Sequence, residues 1–179
     1  MRPHDIVVLL KICVLNEEKW RQMDLATSLF ISNAEITDSL NRSMISGLVA
    51  PDKRNVNVPA LLDFLVYGLR YVFPVMPGNM TQGMKTAYSA SPLSELIVSE
   101  KEHCLVWPCL NGDSQGQSIK PLYVKLPQAA MRDQALYEIL ALTDALRIGR
   151  ARERAVAGDE LKRKLQPNQG QVSAKRNHR

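Results

Sequence analysis

Two short segments of the 179-residue chain contain residue types that enzymes and metal sites use. Gly112, Ser114 and Gly116 have the G-x-S-x-G spacing of a hydrolase nucleophile elbow, which needs a strand before the serine and a helix after it. Residues 117–121 do not favour a helix, and the only histidine further along the chain is His178. We therefore interpret this segment as a glycine-rich loop and not as a catalytic centre.

The second segment holds His103, Cys104 and Cys109, which together offer three metal ligands. A structural zinc site normally has four ligands, commonly with C-x₂-C spacing, so this pattern favours buried cysteines in a pair of strands. The chain also has no phosphate loop and no dinucleotide fingerprint. We therefore expect neither an enzyme nor a cofactor. The aromatic residues of the same region either line a ligand pocket or belong to the core: Tyr88, Trp107 and Tyr123.

The composition is that of an ordinary globular protein, with 45% hydrophobic and 23% charged residues, but its charge is unevenly distributed. Residues 1–146 contain 13 basic and 15 acidic residues, whereas residues 147–179 contain 10 basic and 3 acidic residues. The net charge of +5 therefore comes entirely from the last fifth of the chain. Such asymmetry indicates contact with nucleic acid or another acidic surface, or a solvated tail.

The termini and cysteines predict a cytoplasmic protein that does not enter a membrane. Lys11 interrupts the first apolar run and no small-residue cleavage site follows, which argues against a signal peptide. The apolar stretch from Val58 to Val75 contains Asp63 and Arg70, and is more typical of a buried helix than of a membrane span. Three cysteines, an odd and small number, fit a reducing compartment.

The first helix is predicted from Pro3 or His4 to about Leu15. It is apolar on nearly every side, so we expect it to be buried on more than one side by a second domain or a partner subunit. A short helix from Gln22 to Leu29 follows, with Leu25, Ala26 and Leu29 on one face.

The next helix is predicted from about Asn33 to Ser46, with a capping box formed by Ser32 and Glu35 at its start. Ile36 and Leu40 point inward, and Gly47 ends the helix. By 3.6-residue periodicity, five residues point outward: Ala34, Thr37, Asp38, Asn41 and Arg42.

This segment resembles the winged helix-turn-helix of MarR-like bacterial transcriptional regulators. The resemblance covers about residues 5–57 and rests on Asp24-Leu25-Ala26-x-x-Leu29-x-Ile31-Ser32, Ile36, Leu40-Asn41-Arg42 and Gly47-Leu48-Val49. It implies a short wing with Leu48-Val49 as one arm, residues 50–53 as the turn and residues 54–56 as the return. Phe30 stands at the turn position that usually holds glycine, and because a left-handed backbone is costly for phenylalanine, a different turn geometry is expected here.

With this resemblance, the fold class is expected to be mainly α with small β elements, that is α+β. The predicted divisions are a winged helix-turn-helix (1–57), a connecting helix (58–73), a loop-rich region with short strands (74–126), C-terminal helices (127–165) and a disordered basic tail (166–179). Asn57 and Pro59 predict the start of the connecting helix, which serves either as a simple link or as a homodimer interface. Gly149 either separates two C-terminal helices or lies within one.

A helix-turn-helix presents its second helix to the major groove, and asparagine and arginine side chains are suited to reading base edges. The expected DNA contacts on this helix and wing are Ser32, Asn33, Ala34, Thr37, Asp38, Asn41, Arg42, Lys53 and Arg54. From Ser32 to Ser46 one arginine stands against Glu35 and Asp38, so phosphate affinity must come from elsewhere. The expected phosphate patch is Arg147, Arg150, Arg152 and Arg154, with a solvated helix face as the alternative.

The sequence thus predicts a homodimeric, sequence-specific regulator that binds double-stranded DNA in the cytoplasm, associates with the nucleoid when bound, and represses transcription by occupancy. One alternative is a winged-helix adaptor or antitoxin-like protein that contacts another protein. Another is a ligand sensor or enzyme built on residues 74–126.

Overall fold

The computed structural model describes residues 1–15, 19–97 and 104–166, and shows a mixed α/β protein that is mostly helical. Three helices come first: α1 (Pro3–Leu15), α2 (Gln22–Leu29) and α3 (Asn33–Ile45). These bounds agree with the predicted helices to within a residue or so. The N-terminal part ends in a hairpin that is pinned by one antiparallel bridge between Val49 and Val56.

A single long helical segment follows the hairpin, as predicted for residues 58–73. It consists of α4 (Val58–Asp63), a π-helical turn (Phe64–Gly68) and α5 (Leu69–Val72). Asn57 caps it by accepting a hydrogen bond from the Ala60 amide on its Oδ1 (3.3 Å), and Pro59 occupies the first turn, where a missing N–H costs nothing.

Three strands form a small sheet: β1 (Met80–Lys85), β2 (Leu105–Pro108) and β3 (Ser114–Ser118). The 3₁₀ turn Ala87–Ser89 and helix α6 (Leu93–Leu96) lie between β1 and β2 in the sequence. β1 runs antiparallel to both other strands, and β2 and β3 pair in parallel, so each strand pairs with the other two. The link between β2 and β3 crosses β1 closely, since a Cβ on Gly112 would lie 2.1 Å from the Gly83 carbonyl carbon. Only glycine fits at this crossing.

The chain ends in α7 (Leu126–Met131), α8 (Gln134–Ile148) and α9 (Ala151–Leu165). Gly149 lies between α8 and α9, so of the two predicted arrangements the structure has separate helices. A Cβ at Gly149 would lie 2.4 Å from the Ala145 carbonyl oxygen, which explains the glycine. Of the predicted disordered tail, Gln166 is described and residues 167–179 lie outside the described residues.

The hydrophobic core is continuous from the N-terminal helices to the C-terminal ones. Helix α1 lies between α3 on one side and α8 on the other, and its residues from Ile6 to Leu10 are fully buried. This placement accounts for the helix being apolar on nearly every side. Two polar contacts also connect the N-terminal helices to the C-terminal part of the chain. Lys11 Nζ lies 2.6 Å from Asp133 Oδ2, and Tyr123 Oη donates a hydrogen bond to the Leu29 carbonyl.

Candidate nucleic-acid interface

The link between α2 and α3 is a tight turn that has a left-handed residue at its centre. Phe30 has φ 54° and ψ 37°, and the Ile31 amide donates to the Ala26 carbonyl (3.0 Å). The turn therefore keeps the left-handed geometry from which the sequence predicted a departure, at a cost of about 1–2 kcal/mol for a residue that has a Cβ. The Arg132 guanidinium lies 4.5 Å from the centre of the Phe30 ring, a distance that allows a cation–π interaction.

Helix α3 begins with half of the predicted capping box. Ser32 Oγ accepts a hydrogen bond from the Glu35 amide (3.2 Å). The Glu35 carboxylate points elsewhere, to Arg2, His4 and Arg42.

The outer face of α3 is polar and mostly uncharged. Four of its predicted contact residues are exposed, namely Ser32, Asn33, Ala34 and Asp38. Thr37 and Asn41 are half-buried, and Thr37 Oγ1 donates to Gln22 Oε1 (2.8 Å), which ties α3 to α2. Ile36, Ser39, Leu40 and Ser43 form the buried side.

Arg42 does not point outward as the periodicity predicted. Its Nη2 lies 2.8 Å from Asp5 Oδ1 and 2.6 Å from Glu35 Oε1, and its Nε donates to Asp5 Oδ2 (3.0 Å). The Asp5 side chain is fully buried in α1, whereas that of Arg42 is 24% exposed. The prediction failed because a helical wheel does not show that a carboxylate on α1 lies within reach. Arg42 therefore fixes α3 against α1 instead of presenting a free cation.

The same contacts shift the pKa values of both carboxyl groups. Burial by itself would raise the pKa of Asp5, but hydrogen bonds from Arg42 and the Arg2 amide outweigh it, and the pKa lies below its ordinary value. Hydrogen bonds from Arg42 and His4 likewise lower the pKa of Glu35. Both groups are therefore held as carboxylates.

The hairpin after α3 has the arms and turn that the sequence predicted. The Ala50 amide donates to the Asn55 carbonyl (2.8 Å), and Lys53, at the tip, has φ 57°. Asp52 accepts hydrogen bonds from the Arg54 and Asn55 amides, and these bonds lower its pKa.

Arg54 joins the hairpin to the residues that precede α2. Its Nη1 donates to the Trp20 carbonyl (2.9 Å), and its guanidinium lies 5.0 Å from the centre of the Trp20 ring. This contact brings four basic residues to one edge, which we call the Trp20 edge: Lys19, Arg21, Lys53 and Arg54. Three of them are exposed and Lys53 is half-buried.

The C-terminal arginines do not act as one patch. Arg147 was predicted to face phosphate, but its side chain is only 4% exposed and its Nη1 lies 2.6 Å from Asp144 Oδ1. It is placed in the core because Asp144 is buried beside it. On α9, Arg150 and Arg152 are exposed, while Arg154 is half-buried and donates to the Gly149 carbonyl (2.6 Å). Helix α9 packs mainly on α8, α4 and α6.

Asp144 and Arg147 join several elements that are distant in sequence. Asp144 Oδ2 accepts hydrogen bonds from Trp107 Nε1 (2.5 Å) and Thr86 Oγ1 (3.1 Å). Arg147 donates to the carbonyls of Phe73 and Lys120. Trp107 is fully buried and Tyr88 nearly so, which makes them core residues and not the lining of an open pocket.

The two segments that suggested chemistry have structural surroundings. Ser114 lies in β3, and its hydroxyl donates to Asp113 Oδ1. The Cys104 thiol donates to the Gln115 carbonyl, and His103 lies outside the described residues. Within residues 1–15, 19–97 and 104–166, His, Cys, Asp and Glu side chains form no group of three or more that could hold a metal ion. No helix in these ranges is long and apolar enough to cross a membrane.

The sequence reasoning missed three residues of this region: Lys19 and Arg21 at the Trp20 edge, and Arg132 beside Phe30. Lys19 and Arg21 could have been found from Trp20, which lies between them in the sequence. Guanidinium groups stack on indole rings, so an arginine in the wing was a candidate partner for Trp20 and would bring these two residues beside the wing. Nothing local in the sequence linked Arg132 to Phe30. Comparison of the chain with protein-family models, with curated proteins and with solved structures found no match.

Proposed function

We propose that residues 1–57 form a winged helix-turn-helix and that the protein is a sequence-specific, double-stranded DNA-binding transcriptional repressor. In this proposal α3 enters the major groove, the hairpin 48–57 is the wing, and a homodimer blocks transcription by covering a promoter. Proteins of this type read base edges with residues near the start of the second helix. The supporting observation is that α3 presents an exposed N-terminal face beside the basic Trp20 edge.

The packing of α3 supports this role. Its apolar side is buried against α1 and α2, and the Arg42 network sets its position, so the outer face, apart from Thr37, is not needed to hold the helix in place. Asn33 and Asn41 are the side chains on this face that are suited to bidentate contact with adenine.

The Trp20 edge supplies the charge that α3 lacks. The exposed face of α3 has Asp38 and no unpaired basic side chain among its described residues, so it does not attract phosphate. Lys19, Arg21, Lys53 and Arg54 lie where a wing and the start of α2 meet the DNA backbone, and each contact with a phosphate releases counterions. Arg150 and Arg152 remain exposed on α9 for a further contact.

The test is selection of bound sequences from a random duplex pool at low salt, followed by titration with the selected duplex. We expect Asn33→Ala and Asn41→Ala to cost about 1–3 kcal/mol on the selected site and little on random DNA. Arg21→Gln and Lys53→Gln should weaken binding to every duplex and reduce the salt slope by about 1 each.

Lys120→Gln, at an exposed lysine outside this face, is the matched control and should change neither the affinity for DNA nor the salt slope. If no duplex is bound at low salt, or if the Arg21 and Lys53 variants keep the salt slope of the control, the proposal is wrong.

A second candidate is a winged helix that contacts protein, such as an adaptor or an antitoxin-like partner. The observation that favours it is the exposed carboxylate of Asp38 on the outer face of α3, which repels phosphate. In that case Asp38→Asn would weaken binding to the protein partner, whereas in the DNA-binding case it would strengthen binding to all duplexes.

A further inference from the structure

The segment from α4 to α5 and helix α9 enclose a surface groove that neither the core nor the proposed DNA-binding face uses. It consists of two adjoining clefts of about 560 and 330 Å³, and both are lined by Val66, Tyr67, Arg154 and Ala155. The groove therefore runs along the contact between the α4–α5 segment and α9, with Tyr67 near its middle.

One edge of the groove exposes large apolar side chains. Tyr67 is 72% and Tyr71 75% exposed, and Val72 at the end of α5 and Met76 beyond it are 52% and 83% exposed. Asp63, Tyr67 and Tyr71 follow one another at four-residue intervals along this segment, and all three are exposed. Tyrosine is enriched in protein interfaces and among residues that dominate binding energy.

The charges of the groove differ between its two ends. Asp63 and Asp159 lie at one end with Lys162, while Arg70 lies at the other end beside Tyr71. Within residues 1–15, 19–97 and 104–166, Asp63 and Arg70 have no ion-pair partner, and the Arg70 guanidinium lies 5.3 Å from the centre of the Tyr71 ring. Arg154 lines both clefts, so the two ends differ chiefly in the placement of Asp63 and Arg70. A helix face with an aspartate towards one end and an arginine towards the other is complementary to itself after a two-fold rotation about its middle.

We propose that this groove is the homodimer interface, and that a second copy of this chain packs its α4–α5 segment antiparallel to the first. Asp63 of each copy then faces Arg70 of the other, and the two Tyr67 rings fill the centre of the paired grooves. The two-fold symmetry requires both ion pairs to form at once, which selects this antiparallel register over a parallel one.

This inference deepens the proposed function and rests on it in one respect: a two-fold dimer presents two α3 helices to a palindromic site. Self-association itself is measured without DNA, so the two proposals fail separately. A dimer that binds no duplex contradicts the proposed function and leaves the interface standing. A monomer that binds DNA overturns the interface and the homodimer, and leaves DNA binding by α3 and the wing standing.

The experiment is sedimentation equilibrium of the full chain as wild type, Asp63→Arg, Arg70→Asp and the double charge swap Asp63→Arg/Arg70→Asp. We expect the wild type to be a dimer, and each single reversal to weaken self-association by about tenfold or more, because like charges then face each other. The double swap should restore it to within about threefold of wild type, since the ion pairs reform with opposite polarity.

Two matched reversals outside the groove, Glu95→Arg and Lys85→Asp, are the controls and should leave the dimer unchanged. Circular dichroism of each variant shows whether it is folded, and Tyr67→Ala provides a further disruption that changes no charge. A monomeric wild type overturns the proposal. The proposal is also overturned if the double charge swap is folded but self-associates no more tightly than the single charge reversals.

Discussion

The networks around Arg42 and Arg147 both join distant parts of the chain through a buried aspartate, but water reaches only one of them. Arg42 and Glu35 are about one-quarter exposed, at 24% and 26%, and only Asp5 is fully buried. Arg147 and Asp144 are 4% and 2% exposed. The first network lies at the surface where α1 meets α3, and the second lies in the core.

The difference lies also in what each arginine binds. Arg42 is satisfied mainly by two carboxylates, so its contacts depend on pH. Arg147 is satisfied by one carboxylate and by the backbone carbonyls of Phe73 and Lys120, which ties it to the end of α5 and to the chain after β3. The core network therefore holds the architecture together, whereas the surface network sets the position of one helix.

The largest loss of stability is expected for Arg147→Met. The change leaves Asp144 buried without its cation and should lower the free energy of unfolding by about 3–5 kcal/mol. Urea denaturation measures it, with Arg152→Met on exposed α9 as the control, for which a change within about 0.5 kcal/mol is expected. Equal stabilities for these two variants would show that the core network contributes nothing.

A smaller effect is expected for Arg42→Met, about 2–3 kcal/mol, because water reaches Glu35 and partly replaces the lost contacts. If the proposed function holds, this variant also loses DNA affinity, because α3 shifts, while its salt slope stays that of wild type. Asn41→Ala is the matched comparison, since it should lose affinity at unchanged stability. A salt slope reduced by about 1 in Arg42→Met would instead make Arg42 a phosphate ligand.

The smallest effect concerns pH. Asp5 and Glu35 have lower pKa values folded than unfolded, so the unfolded chain binds more protons as the solution is acidified. Their contribution to stability is present above the ordinary carboxyl pKa range of about 4 and is lost as the pH falls through that range and below it. Glu35→Gln should flatten this loss in unfolding experiments across that range.

The exposed Glu95→Gln is the control for the pH measurement. The two variants are expected to differ in the slope of stability against pH and not only in its level. Parallel curves for Glu35→Gln and wild type would mean that the Arg42 network does not contribute to acid sensitivity.

Local signals in the sequence were enough to predict most helix boundaries. Ser32 and Asn57 both cap the helices they were expected to cap, and residues 22–29 and 58–72 are helical as their apolar spacing indicated. The short strands of the middle region were predicted only as a class, because their pairing depends on close approaches such as that of Gly112 to Gly83.

The site was harder to predict than the fold because its arginines are governed by contacts that are distant in sequence. Asp5 and Arg42 are 37 residues apart, and no helical period shows that their helices meet. Asp144 and Arg147 are one turn apart, but their burial depends on Thr86 and Trp107 from other elements. Periodicity assigns a side chain to a face, and only the tertiary fold decides what covers that face.

The position of α1 between α3 and α8 has a consequence for how this chain can be altered. Removal of everything after the hairpin would expose the apolar side of α1 to water and leave Lys11 without Asp133. The first 57 residues are thus not expected to fold on their own when they are transferred to another protein. For the same reason, a change in how the C-terminal helices pack reaches the N-terminal helices directly, because α1 packs against both α8 and α3.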